Sequence, residues 1–267
     1  MIRSMYSGIS GMKGFQTKLD VVGNNIANVN THGFKKGRVM FQDMVSQQVQ
    51  GPMAATPDRG GVNSKQIGSG SMVGAIDTVH TGGGNQYTGR ELDLAINGDG
   101  YFAVQVGADT FYTRAGNIYV DHDGNVVNSS GAYLLGPNGN RLQIDPEILD
   151  NMQSISVNKQ GEIVISVQGQ DDPVTLQIGV ASFSNPEGLN SAGGSLFTAT
   201  PASGPANMVV PGTQGTGDIQ SGYLEMSNVD LADEFSEMIV AQRGFQANSR
   251  IITTSDEILQ ELVNLKR

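Results

Sequence analysis

Cysteine is absent from the 267-residue chain and histidine occurs only three times. Disulfides and thiol chemistry are thereby excluded, and Cys/His zinc sites nearly so. No apolar run approaches the roughly 20 residues that a membrane span requires, and the opening MIRSMYSGIS lacks the apolar core of a signal peptide. A soluble chain is expected, without membrane insertion and not an ordinary Sec substrate. Positive charge is scarce as well: 16 Lys and Arg face 26 Asp and Glu, giving a net charge of −10 and a pI near 4.6. That balance argues against nucleic acid and anionic membranes as nonspecific partners, because both reward basic patches.

Motifs that carry chemistry are equally sparse. There is no G-x-S-x-G nucleophile elbow, and His32, His80 and His122 lie far apart in polar or turn-like settings. Asp171-Asp172 precede Pro173 and read as a solvated turn rather than a glycosidase pair. Gly98, Gly100 and Ala103 spell GxGxxA, but a dinucleotide loop must open a helix, and the following YFAVQV reads as a strand. Asp121-His122-Asp123-Gly124-Asn125 resembles the start of a calcium loop, yet Ala132 stands where an EF-hand needs Glu. Neither catalytic residues, nor cofactor, nor metal ligands are expected.

What the chain does have is 38% hydrophobic residues, enough for a modest core, and a marked division along its length. Over residues 1–36, Arg3, Lys13, Lys18, Lys35 and Lys36 face only Asp20, a net of +4; residues 224–267 carry −4. Both ends repeat apolar residues every seven positions: Met5, Met12, Leu19 and Ile26 in the first, Leu224, Leu231, Met238, Phe245, Ile252 and Leu259 in the second. A seam at 3.5 residues per turn predicts helices that supercoil around a partner. Gly8, Gly11 and Gly14 weaken an isolated helix by roughly 1 kcal/mol each but let a neighbouring backbone approach. Asn24, Asn25 and Asn28 crowd the same helix, and their ordering cost demands some partner. A second helix start near Asn228–Asp230 fits SNVDLADEF, with short polar caps and an acidic first turn.

Residues 37–223 hold 30 of the 36 glycines and read as antiparallel β. LDLAI and YFAVQV flank the turn NGDG; two further hairpins are predicted around Asp123-Gly124 and Gln160-Gly161; PVTLQIGVASF alternates as one strand. Residues 42–75 show little period and read as a connector. The expected fold is α+β: terminal helices (1–36 with 224–267) paired as a coiled coil, an extended connector (37–75) and a central antiparallel β-rich domain (76–223).

LDVVGNNIANVNTHGFKK, LDLAINGDGYFAV, YTRAGNIYVDHDGNVV and SNVDLADEFSEMIVAQRGFQANSRIITTSDEILQELVNLKR resemble, in order, segments of the bacterial flagellar axial proteins, the hook and distal rod family. The resemblance implies a non-enzymatic, self-polymerising subunit of a hollow tube in the flagellum, outside the cell, exported unfolded by the flagellum's own apparatus. Further partners so implied are the distal rod, the hook cap and the hook–filament junction proteins. It implies inter-subunit roles for Asn24, Asn25, Asn28, Gln242, Arg243, Phe245 and Asn248, which Met5, Met12, Leu19, Ile26, Leu231, Met238, Ile252 and Leu259 are expected to share. Within the family, the two ends look like hook proteins of Gram-positive bacteria, so a curved hook is expected. Residues 48–65 fall where distal rod proteins carry an extra loop, which keeps a straight rod as the alternative. A secreted coiled-coil/β binding protein is the third possibility.

Overall fold

The computed structural model describes residues 2–55, 60–167 and 173–265. Asp171-Asp172 and residues 56–59 of the 48–65 segment lie outside them. Two long terminal helices flank a central antiparallel β region, so the fold is α+β. Among the described residues no helix is long and apolar enough to cross a membrane. The chain divides into two compact units, Met1–Ala27 with Gly37–Thr78 and Asp230–Arg267, and Asn28–Lys36 with Val79–Val229.

In the first unit the N-terminal helix runs Ile2–Ala27 and the C-terminal helix Leu231–Leu265. Asp230 caps the latter: its carboxylate accepts the Ala232 N–H at 2.8 Å and its carbonyl accepts Glu234 N–H at 3.0 Å. Asp233 and Glu234 place negative charge in the first turn, against the positive end of the helix dipole.

The expected connector is instead a paired ribbon. Strand β1 (Gly37–Asp43) lies antiparallel to β4 (Ser71–Thr78), with a bulge at Met40/Phe41. Beyond them β2 (Gln47–Gln50) pairs with β3 (Lys65–Ile67), and Met53 bridges Val62. The bulge and Gly74 interrupt the alternation that would have announced these strands. Ribbon and helix fit closely: a methyl group on Gly14 would fall 2.8 Å from the Phe41 ring, and one on Gly37 3.2 Å from Val21. Phe41 also packs on Phe15, with ring centroids 5.8 Å apart.

The second unit is built around Tyr101–Val106, a strand hydrogen-bonded to Asp109–Thr113, Tyr133–Leu134 and Val180–Ser182 in the largest sheet. Period-two alternation serves two cores at once. Phe102 and Val104 pack with Leu94, Ile144, Ile163 and Ile178, whereas Tyr101 and Ala103 pack with Tyr112, Phe183 and Phe197. A strand buried on both faces must be apolar throughout, as YFAVQV nearly is. The predicted hairpins at Ile118–Val120/Val126–Asn128 and Met152–Val157/Glu162–Val167 form, with Gly124 and Gly161 at positive φ in their turns. The NGDG hairpin does not. Leu94–Asn97 pairs with Asp218–Ser221, and Tyr101–Val106 turns back through Gly107 onto Asp109–Thr113. Gly98 and Gly100, at φ +130° and +133°, carry the chain from one sheet to the other. PVTLQIGVASF is likewise two strands, Val174–Gln177 and Val180–Ser182, split at Gly179, where a methyl would meet the Gly136 backbone at 2.5 Å.

Candidate functional site

The helices of the first unit pack antiparallel, and their contacts define a seam. A methyl on Gly8 would meet the Asn248 carbonyl at 3.4 Å and Ile252 at 3.5 Å; one on Gly11 would meet the Asn248 amide at 3.0 Å; one on Gly244 would meet the Phe15 ring at 2.5 Å. Lys18 pairs with Glu237, and Asn25 Nδ2 donates to Glu234 Oε2 at 3.1 Å. On the N-terminal helix the seam therefore runs through Gly8, Gly11, Phe15, Lys18, Val22 and Asn25, in steps of three and four. On the C-terminal helix the less exposed positions include Glu234, Met238, Ala241, Phe245, Asn248, Ile252, Ser255 and Leu259, again alternating four and three.

The sequence-predicted line on the second helix thus lies in the seam at Met238, Phe245, Ile252 and Leu259, while Leu231 is exposed. The line on the first helix is displaced. Met5, Met12, Leu19 and Ile26 are half-buried along one flank, because glycines, not large apolar groups, occupy the close approach. Asn248 is in the seam; Asn24, Gln242 and Arg243 are on exposed faces.

Asn25 is buried and bonds to both Glu234 and Gly37. Its amide nitrogen also donates to Gly37 O at 2.9 Å, and its oxygen accepts Gly37 N–H at 3.0 Å. One side chain thus ties both helices to the start of β1. Asn28, expected on the helix, lies beyond its end at Ala27, in a turn of the second unit. There its carbonyl accepts Thr31 N–H at 3.1 Å and its side-chain oxygen accepts the Thr31 hydroxyl at 3.1 Å. Short polar side chains that bond neighbouring backbone end helices.

Sequence reasoning missed a buried ionic cluster in the second unit. Lys35 Nζ donates to Glu225 Oε1 at 2.6 Å and to Thr81 O at 2.7 Å; Gly83 N–H donates to the same Oε1 at 3.0 Å. Arg114 Nη1 lies 3.3 Å from Glu225 Oε2, and its Nη2 donates to Gly98 O at 2.8 Å. Burial pushes the Lys35 ammonium down against the pull of Glu225. His80 Nδ1 shares a hydrogen bond with the Tyr101 hydroxyl at 2.7 Å. Burial, then the Lys35 and Arg114 cations, hold the His80 pKa down at about 4. Burial likewise pushes Tyr101 up to about 12. Nearby, Asn228 accepts Lys36 N–H at 2.8 Å and donates to Val79 O at 2.8 Å. The opposite charges of the two ends were the available signal, but sequence did not pair Lys35 with Glu225.

Among the described residues no group of three or more His, Asp or Glu converges as a metal site would require. The prominent surface is apolar: Phe235, Ile239, Ile251, Ile258 and Leu262 are exposed on the C-terminal helix, as are Val45, Val49 and Ile67 on the ribbon. Such a surface suits partners rather than substrates.

Three stretches of the chain match known protein families. Residues 5–35 match the family described as "Flagella basal body rod protein", 95–165 "Flagellar hook protein FlgE/F/G D1 domain" and 220–265 "Flagellar basal body rod FlgEFG protein C-terminal". The flagellar basal-body rod protein FlgG of Bacillus subtilis is 56% identical over 269 residues, covering 100% of both chains. The FlgG of Borreliella burgdorferi is 36% identical over 270 residues, and the flagellar hook protein FlgE of the same organism 30% over 441; each alignment covers 100% of both chains.

Proposed function

We propose, on the premise that the chain belongs to the bacterial flagellar rod and hook protein family, that it is the subunit of the distal rod. In this role it polymerises into a straight, rigid, hollow shaft that carries motor torque outward. It is a structural protein of the flagellum and not an enzyme. The observation that carries the rod assignment is matched length. The Borreliella burgdorferi rod protein aligns over 270 residues, whereas the hook protein of the same organism needs 441 to span this chain of 267. The hook was expected from the opening and closing segments, and that expectation is replaced. Those segments match family descriptions that name rod proteins or group rod with hook, so they do not discriminate.

The paired ribbon supports the same reading. Residues 37–50 and 65–78 are held by strand pairing and by packing on the N-terminal helix, and do not form a free tether. Adjoining axial proteins are its partners, and passage through the flagellum's own export apparatus is part of the proposal. Export in an unfolded state is supported by a C-terminal helix of 35 residues that buries only Glu234, Ala241 and Ser255.

Cryo-electron microscopy of purified polymer tests the assignment. Straight tubes are expected; curved tubes would return the hook, and discrete trimers would favour a secreted binding protein.

A further inference from the structure

The pairing of the two helices leaves one end uncovered. Gly8 lies against Asn248 and Ile252, and Asn25 against Glu234, so Ile2 comes level with residues near 258. The C-terminal helix continues to Leu265, about 10 Å further at 1.5 Å per residue. Ile258, Leu262 and Leu265 are 47%, 49% and 82% exposed. Glu257 and Glu261 are exposed beside them, and neither pairs with a cation among the described residues.

Beside the first three turns of the N-terminal helix is an open cavity of about 440 Å³, walled by that helix and the ribbon. Tyr6, Ile9, Met44 and Ile67 supply an apolar lining, and Arg3 and Lys13 stand at its helical wall. Tyr6 is 67% exposed, and neither cation forms an ion pair among the described residues.

We propose that this cavity receives the overhanging end of the C-terminal helix from a second copy, Ile258 and Leu262 entering the apolar lining while Glu257 and Glu261 meet Arg3 and Lys13. The chain's own overhang cannot serve, because a straight helix running past Ile2 does not turn back alongside residues 3–13. Cavity and overhang are different surfaces, so the contact is heterologous: every added copy leaves one of each unfilled, and growth continues as an open helix. This deepens the assignment as an axial polymer and rests on it.

Charge reversal tests the pairing. Arg3→Glu with Lys13→Glu, and separately Glu257→Lys with Glu261→Lys, should each raise the concentration needed for polymerisation about tenfold, as expected for two exposed ion pairs turned repulsive. Circular dichroism of the dilute chains should be unchanged. The two reversed chains mixed together, or all four changes in one chain, should polymerise like the parent. Reversed chains that polymerise like the parent, or a combination that fails to restore assembly, would overturn the proposal while leaving the polymer reading intact. A parent that never polymerises overturns both. Because the chain has no cysteine, a Tyr6→Cys chain and a Leu262→Cys chain can be mixed and oxidised. A disulfide between the two kinds of chain within the polymer is expected, and crosslinks only between like chains would contradict it.

Discussion

Glu225 joins two cations of the second unit, since one carboxylate, 1% exposed, faces both Lys35 and Arg114 in the interior. A buried pair adds little over apolar residues of the same shape, but removing one partner strands the other. Glu225→Gln should therefore destabilise the chain by about 3 kcal/mol, measured by urea unfolding, because two cations lose their counter-charge. Adding Lys35→Met should recover part of that loss. His80 supplies a pH dependence. Its folded pKa of about 4 lies below its ordinary 6.5, so the unfolded chain binds the proton more readily between those values. Its contribution is complete above about pH 6.5 and is lost as pH falls toward 4. Lys35 and Arg114 are the cations that oppose its charging. Unfolding measured from pH 4 to 7 should show this slope in the parent and a smaller one in His80→Gln.

At the scale of elements, the seam mixes glycine, asparagine and the Lys18–Glu237 pair with a few large groups, and so it is specific before it is strong. Asn25 fixes register through Gly37 and Glu234, as a polar seam residue can. Phe245 and Phe15 supply bulk, and Gly244 supplies the space that the Phe15 ring occupies. Phe245→Ala should cost up to about 3 kcal/mol of helix pairing. The loss should appear as weaker amide protection of residues 5–25 and 232–259 and a higher concentration for assembly, with the β strands around Tyr101–Val106 unaffected. Equal loss of protection in those strands would mean that Phe245 supports something other than the seam. The ribbon obeys a different rule. Two strands exposing Met40, Met72 and Ile76 are marginal in water, and packing of Phe41 into the space above Gly14 holds this pair in place.

For the whole molecule, stiffness is the property that separates a rod from a hook. Deleting residues 48–65 removes the β2–β3 pairing and the Met53–Val62 bridge. If the ribbon braces neighbouring copies, cryo-electron microscopy should show straight parent tubes and bent or disordered tubes after the deletion. Unchanged straight tubes would locate the stiffness elsewhere.

The sequence alone determined what short-range rules can reach. Seven-residue spacing announced two helices, and the acidic start at Asp230 located the second within a residue. Asp-Gly and Gln-Gly turns between alternating strands located two hairpins, because a turn and its flanking strands are neighbours in the chain. Only the tertiary structure decided which residues of the first helix form the seam. Hydrophobicity favours Met5, Met12 and Leu19, but helices approach most closely where side chains are smallest, at Gly8 and Gly11. It also decided that Leu94–Asn97 pairs with Asp218–Ser221 and that Lys35 meets Glu225, contacts separated by more than a hundred residues. No local spacing encodes such a meeting; it follows from burying the whole apolar set at once.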